Sequence, residues 1–239
     1  VRVLVLGGTG EARALAAALH EHPGHQVVSS LAGRVREPRL PVGEVRVGGF
    51  GGPDRLAEWL VAHHVDAIVD ATHPFAERIS ASAVLAARAV GRPLLVLRRP
   101  GWTSRSGWHW VDSLDQACAV ATSLGERIFL TTGRQGLAAF AGSARWFLVR
   151  CVDPPDPPLP ARARLLLDRG PYTVDGERAL LREHRIDVLV TKDSGGSLTS
   201  AKLDAAEEVG LPVVVVRRPA PPDAAVVESV DQVLAWLRR

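Results

Sequence analysis

A chain of 239 residues, 46% of them hydrophobic, has the apolar material for one large or two modest packed cores, which excludes a disordered or fibrous protein. Its formal charge of +3 is small and dispersed, and no recognition-helix, zinc-finger or aromatic RNA-binding pattern accompanies it, which argues against nucleic acid as a partner. No apolar run reaches membrane-spanning length; the two cysteines, Cys118 and Cys151, lack metal-ligand spacing and follow no secretory leader, so the expectation is a cytoplasmic protein without a metal site.

Short apolar runs predict strands at 1–6, 26–31, 44–47, 66–70 and 93–98, and amphipathic stretches predict helices at 10–21, 53–63 and 75–90 between them. The second half continues the rhythm with helix 114–124, strand 127–131, helix 135–141, strands 145–150 and 164–167, helix 174–184, strand 187–191, helix 197–209, strand 213–217 and a last helix 229–238. Such alternation predicts an α/β protein with largely parallel sheets covered on both faces. The halves also echo each other. Gly91-Arg92-Pro93, four apolar residues and Arg98-Arg99-Pro100 return as Gly210-Leu211-Pro212, four apolar residues and Arg217-Arg218-Pro219, so the chain reads as a pseudo-duplication. Equivalent polar loops of the two halves are then expected to face a central cleft. The expected boundary is the aperiodic stretch from Arg99 to Ser113.

The first strand runs into Gly7-Gly8-Thr9-Gly10-Glu11 at the start of a helix, where backbone N–H groups and the helix dipole suit a pyrophosphate. Arg13 stands where a third glycine or alanine of the dinucleotide fingerprint belongs, so the match is incomplete. The second strand ends in Ser29-Ser30-Leu31-Ala32-Gly33-Arg34. No acid is present there to accept a ribose 2′-hydroxyl, so Ser29, Ser30 and Arg34, with Arg36 beside them, favour NADP(H) over NAD. The fourth strand ends in Asp70-Ala71-Thr72-His73-Pro74-Phe75, on the nicotinamide side of such a site; His73 has as its plainer reading a structural residue beside a turn.

In the second half the matching strand ends carry Thr131-Thr132-Gly133-Arg134-Gln135-Gly136 and Thr191-Lys192-Asp193-Ser194-Gly195-Gly196, followed by Lys202. Of 29 basic residues only Lys192 and Lys202 are lysines, and both fall in this one loop-and-helix region. Hydroxyls and glycines at a helix start, beside Arg134 or Lys192, predict a pocket for carboxylates or phosphates. Helix capping by Ser194, Ser197 and Thr199, and a solvated helix face for Lys202, are the plainer readings. The tyrosine–lysine pair of short-chain dehydrogenases is absent, since the one tyrosine is Tyr172 and position 176 is glycine; a G-x-S-x-G elbow and a P-loop are absent too.

With Gly7 to Arg13, Asp70 to Ala76, Thr131 to Gly136 and Thr191 to Gly196 standing in this order, the chain resembles the precorrin-6A reductase family over essentially its whole length. The resemblance implies two Rossmann-like domains flanking a cleft, and NADPH-dependent reduction of precorrin-6A to precorrin-6B in cobalamin biosynthesis, with hydride to C19 and a proton to C18. Residues 1–100 would form the NADPH-binding domain. Residues 101–239 would form the substrate-binding domain, the packing of the last helix being open between the two. Gly7, Gly8, Thr9, Gly10, Glu11, Ser29, Ser30 and Arg34 would grip the cofactor, and Thr72, His73 and Pro74 would border the nicotinamide. Thr132, Gly133, Arg134, Gln135, Lys192, Asp193, Ser194, Gly195, Gly196 and Lys202 would orient a tetrapyrrole rich in carboxylates. Lys192, His73 and water are the candidate proton donors, with Lys192 the residue to test. Handover of product to other enzymes of the pathway is a further implication. The rival readings are a binding protein that senses NADP(H) without turnover, and an NADP-dependent reductase of another polycarboxylate.

Overall fold

The computed structural model describes residues 1–33, 39–197 and 199–238. The chain runs β1 (Arg2–Leu6), α1 (Gly10–His20), β2 (Gln26–Leu31), β3 (Glu44–Val47), α2 (Pro53–Ala62), β4 (Ala67–Asp70), α3 (Glu77–Ala89), β5 (Leu94–Leu97), β6 (Trp108–Val111), α4 (Leu114–Leu124), β7 (Arg127–Leu130), a 3₁₀ turn (Leu137–Phe140), β8 (Trp146–Cys151), β9 (Ala163–Leu167), α5 (Val174–Glu183), β10 (Val188–Lys192), α6 (Ala201–Glu208), β11 (Val213–Val216), β12 (Ala225–Val227) and α7 (Val230–Leu237). Among the described residues no helix is long and apolar enough to cross a membrane. The chain divides into two units, one made of Val1–Pro100 with Pro219–Arg239 and the other of Gly101–Arg218.

The first unit holds a six-stranded sheet in the order β12-β5-β4-β1-β2-β3, all parallel. Alternation along β1 divides its side chains between two cores. Val3 and Val5 pack with Leu15, Leu19 and Val233 on the face covered by α1 and α7, while Leu4 and Leu6 pack with Leu56, Leu60 and Ala83 under α2 and α3. A strand buried on both faces reads as an unbroken apolar run, which is why Val3 to Leu6 carries no polar alternation. Because the connection from β1 leads to β2 on one side and β4 lies on the other, the order in which strands are added across the sheet reverses between β1 and β4, while the strands stay parallel. That gap is the topological switch point, where the loops leaving two neighbouring strands diverge and leave a crevice.

The second unit repeats the pattern with the order β6-β11-β10-β7-β8-β9, also all parallel, and its switch point lies between β7 and β10. Phe129, Phe140 and Phe147 are completely buried here. Each large apolar side chain withdrawn from water contributes about 1.5–3 kcal/mol before entropy is counted.

The outermost strand of each sheet comes from an unexpected part of the chain. β6 follows β5 in sequence but pairs with β11, and β12 follows β11 but pairs with β5, Ala225 lying opposite Leu95 and Trp108 opposite Val213. The two strand-helix pairs are themselves an echo: Val111-Asp112-Ser113-Leu114-Asp115-Gln116 recurs as Val227-Glu228-Ser229-Val230-Asp231-Gln232. Ser113 and Ser229 cap α4 and α7 by accepting from Gln116 N at 3.1 Å and Gln232 N at 3.3 Å, and each glutamine returns a bond to the backbone before its helix. The repeats have thus exchanged their last strand and helix. The stretch from Arg99 to Ser113, expected as an aperiodic boundary, contains β6; residues 219–239, grouped by sequence with the second half, complete the first sheet.

The helix expected at 135–141 is a 3₁₀ turn of four residues. Gly136 ends the preceding loop at φ +90°, and Gly142-Ser143 follow at once, so too few residues remain to offset the cost of nucleating an α-helix. Gly136 is also held against α4: a Cβ built on it would lie 2.2 Å from Leu114 Cδ1. Gly136→Ala is therefore expected to destabilise the protein by about 2–4 kcal/mol, from overpacking together with a left-handed backbone. A denaturant titration that returns the wild-type midpoint would contradict this.

Candidate functional site

In the first unit two of the predicted loops leave the switch point side by side. Thr9 is the N-cap of α1: its Oγ1 accepts from Ala12 N at 3.1 Å and donates to Ala71 O at 2.8 Å, tying the loop after β1 to the loop after β4. The Thr9 hydroxyl is therefore committed within the protein. What the loop can offer a ligand is backbone, since the N–H groups of Gly10 and Glu11 at the first turn have no acceptor among the described residues. Gly8 is exposed at φ +114°, and a Cβ built on it would meet nothing within 4 Å, so the space in front of the helix is open to a close-approaching group. Glu11 would oppose an anion there, but its carboxylate is neutralised by Arg99 Nη1 at 2.6 Å, both side chains being largely buried.

On the other side of the switch point Asp70 is 2% exposed and accepts from Thr72 N at 3.1 Å and Thr72 Oγ1 at 2.7 Å, which fixes the start of the loop. His73 Nδ1 accepts from Phe75 N at 3.3 Å, so the neutral ring carries its proton on Nε2. Asp70, Thr72, His73, Pro74, Ser80 and Arg98 are among the residues lining a cavity of about 190 Å³.

Ser29 and Ser30 lie inside β2, within the strand expected at 26–31, and are 2% and 6% exposed. Ser29 Oγ is buried without a hydrogen-bond partner among the described residues. Ser30 Oγ accepts from Arg46 Nη1 at 3.3 Å, and this arginine, which sequence reasoning passed over, sits opposite Ser30 on β3. Its guanidinium also donates to the carbonyls of Gly48 and Gly49 and lies 3.7 Å from the centre of the Phe50 ring. It has no carboxylate partner among the described residues, and burial lowers its pKa, the signature of a partly dehydrated charge. The only cue was the glycine-rich run Gly48-Gly49-Phe50-Gly51-Gly52 that follows it. Arg34 and Arg36, the other candidates for this corner, lie outside the described residues.

The second unit builds its site without a helix N-terminus at the first loop, since a 3₁₀ turn follows Gly136. Thr131 N and Oγ1 both donate to Val190 O, at 2.9 and 3.0 Å, stitching the loop after β7 to β10. Thr132 is 5% exposed with its Oγ1 unpartnered, Gly133 is at φ +79° with open space beside it, Arg134 is half-buried and Gln135 exposed. The thiol of Cys151, at the end of β8, has its pKa raised by burial and pulled partly back by the charge of Arg134, which places that guanidinium near the same strand ends.

Lys192 closes β10, half-buried, and burial lowers its ammonium pKa. Asp193 follows with its carboxylate on Arg218 and Trp102 N. Ser194 N and Oγ turn back to Lys192 O at 2.7 and 3.2 Å, and Gly195 and Gly196 follow at φ +66° and +74°, a conformation that favours glycine at both positions. The helix begins at Ala201, with Ser200 at its N-cap making no side-chain cap bond, so Ser194, Ser197 and Thr199 are not its caps.

Lys202 is not on a solvated face. It is 5% exposed, its ammonium donates to Thr199 O at 3.0 Å and lies 5.3 Å from the centre of the Trp102 ring. Burial first, then the charge of Arg150, bring its pKa down to about 7, against an opposing pull from Glu177. Arg150 and Glu177 form a buried bidentate pair at 2.5 and 2.9 Å beside it. In this position Lys202 supports the loop from beneath.

Residues 2–238 match the family model described as precorrin-6x reductase CbiJ/CobK. The chain is 60% identical over 240 residues to the precorrin-6A reductase of Rhodococcus erythropolis, covering 99% of this chain and 97% of that protein. It is 52% identical over 238 residues to the precorrin-6A reductase of Mycobacterium tuberculosis, covering 99% and 97%. A solved structure named CobK precorrin-6A reductase matches with a TM-score of 0.92 at 41% identity, covering 100% of this chain and 96% of that one.

Proposed function

This chain belongs to the precorrin-6x reductase family, and we propose on that premise that it reduces precorrin-6A to precorrin-6B with NADPH, a step of cobalamin biosynthesis. In this reading the first unit holds the dinucleotide and the second the tetrapyrrole. The observation that carries it is chemical contrast between two equivalent switch points: one offers backbone N–H groups at a helix start that have no acceptor among the described residues, the other half-buried cations among hydroxyls and left-handed glycines.

The first unit's residues fit the cofactor. Gly8 leaves room for a pyrophosphate against the N–H groups of Gly10 and Glu11, and Arg99 removes the repulsion that Glu11 would otherwise exert. Arg46, partly dehydrated and without a carboxylate partner among the described residues, is suited to a 2′-phosphate next to Ser30. Thr72, His73 and Pro74, around the cavity at the ends of β4 and β5, would border the nicotinamide. NADPH supplies the hydride for C19.

In the second unit Arg134 and Lys192 would meet carboxylates of the macrocycle, and the Thr132 hydroxyl and the backbone around Gly133 and Gly195 would complete their hydrogen bonding. We assign the proton for C18 to Lys192 Nζ, replaced afterwards from solvent. Burial brings that ammonium closer to the working pH, where a general acid is most effective.

Incubating the protein with NADPH and precorrin-6A tests the proposal. Loss of the reduced-nicotinamide absorbance only when the tetrapyrrole is present supports it, whereas binding without oxidation makes the chain a sensor. Arg46→Met isolates the specificity claim. Removing a charge-assisted contact worth about 1.5–3 kcal/mol should weaken NADPH binding by about 10- to 100-fold, while NADH binding, which lacks the 2′-phosphate, stays as it was. Equal losses for both nucleotides in a fluorescence titration would assign Arg46 to the Gly48–Gly52 loop alone.

A further inference from the structure

The duplicated Arg-Arg-Pro tripeptides stand where the chain passes from one unit to the other, at Pro100–Gly101 and Arg218–Pro219. Asp193 gathers both passages within the second unit. Its Oδ1 accepts from Trp102 N at 3.0 Å, two residues after the first crossing. Its Oδ2 accepts from Arg218 Nε at 2.9 Å and its Oδ1 from Arg218 Nη2 at 3.2 Å, immediately before the second. The backbone is fastened as well: Asp193 O accepts from Arg218 Nε at 3.1 Å and Asp193 N donates to Val216 O at 2.9 Å. Asp193 is 6% exposed, and the Arg218 side chain is 14% exposed. Trp102 grips the far end of the same turn through its indole, Nε1 donating to Gly196 O at 3.1 Å.

Two details mark this clamp as specific. Gly101 is needed beside it, because a Cβ there would lie 2.7 Å from Asp193 Oδ2 and 3.3 Å from Oδ1. The guanidinium fork meets the carboxylate through two nitrogens, a geometry that an ammonium cannot reproduce. The residue held most directly by this arrangement is the one before it, Lys192. We infer that Asp193 and Arg218 are positioning residues for the reduction: they fix the backbone that carries Lys192 by fastening it to both crossing segments, and they act without touching the substrate. This rests on the assignment of Lys192 to the reaction.

Misplacing a reacting group by about 1 Å costs on the order of 100-fold in rate. Asp193→Asn and Arg218→Met are each expected to lower kcat for precorrin-6A reduction about 100-fold while NADPH affinity holds, and the double variant should be no worse than the weaker single one. The solvent deuterium isotope effect on kcat should rise in each, because proton delivery becomes the slow step; a mere loss of folded protein leaves that ratio unchanged. Arg218→Lys should recover part of the rate. If Asp193→Asn fails to fold, Gly101→Ala displaces the same carboxylate with every charge retained and should give the same raised isotope effect. A folded Asp193→Asn with kcat within twofold of wild type, or a raised barrier with an unchanged isotope effect, overturns the inference. An active Lys192→Ala would instead sink the assignment of Lys192, so the two failures are distinguishable.

Discussion

Lys192→Ala lowers kcat for precorrin-6A reduction by about 100-fold or more at saturating substrate, the usual contribution of a placed general acid. The expectation follows from three features of one position. Lys192 is the last residue of β10, so its backbone is held by the pairing of Thr191 and Lys192 with Val215 and Val216. The next residue is immobilised by Arg218 and Trp102. Burial disfavours its charged form, which lowers its pKa from the ordinary lysine value toward the range in which an ammonium gives up a proton readily. The sign of the pH dependence is fixed by the same role. An acid must be protonated to act, so kcat should fall as pH rises through the lowered pKa of Lys192. The alanine variant should lose that alkaline limb, because whatever donor replaces the lysine does not titrate there. A variant with wild-type turnover and an unaltered pH profile would pass the role to His73 or to water.

Much of this site was legible because the strands that frame it are buried on both faces. Val3 to Leu6, Ala67 to Val69 and Val188 to Val190 read as continuous apolar runs, and each is followed at once by hydroxyls, glycines or charge. Local chemistry of that kind survives in sequence. What failed to show was chemistry assembled from distant parts. Arg98-Arg99 and Arg217-Arg218 stand out in the sequence only as part of the repeated pattern, yet the side chains of Arg99 and Arg218 are only 16% and 14% exposed, their partners Glu11 and Asp193 lying 88 and 25 residues away. β6 was hidden because Trp108-His109-Trp110 lacks aliphatic residues, and β12 because three residues after a proline-rich run are too few to register. Ser29 and Ser30 read as the end of the strand expected at 26–31, where hydroxyls suit a phosphate. The strand continues through them to Leu31, leaving Arg46, on a neighbouring strand, as the described charge at that corner.

Gly8→Val abolishes NADPH binding at micromolar cofactor while leaving a folded protein. The pyrophosphate of a dinucleotide must approach the backbone at the start of α1 closely to accept from the N–H groups of Gly10 and Glu11, and a branched side chain at position 8 would stand in that path. Among the described residues a Cβ built on Gly8 meets nothing within 4 Å, so the substitution meets no wall there; its cost to the free protein is the strain of φ +114° in a residue with a Cβ, about 1–3 kcal/mol. The loss of ligand contact should be much larger. Gly7→Ala is the matched control: its backbone is not left-handed, and its Cβ would make only ordinary contacts, 3.4 Å to Leu31 Cδ2 and 3.5 Å to Ala12 Cβ. Thermal unfolding reads both terms at once. A hundredfold excess of cofactor over Kd stabilises a binding-competent protein by about 2.7 kcal/mol, so wild type and Gly7→Ala should gain melting temperature with NADPH and Gly8→Val should gain none. An equal upward shift in all three would mean that the loop after β1 does not hold the phosphates, and the dinucleotide would have to be sought elsewhere on the chain.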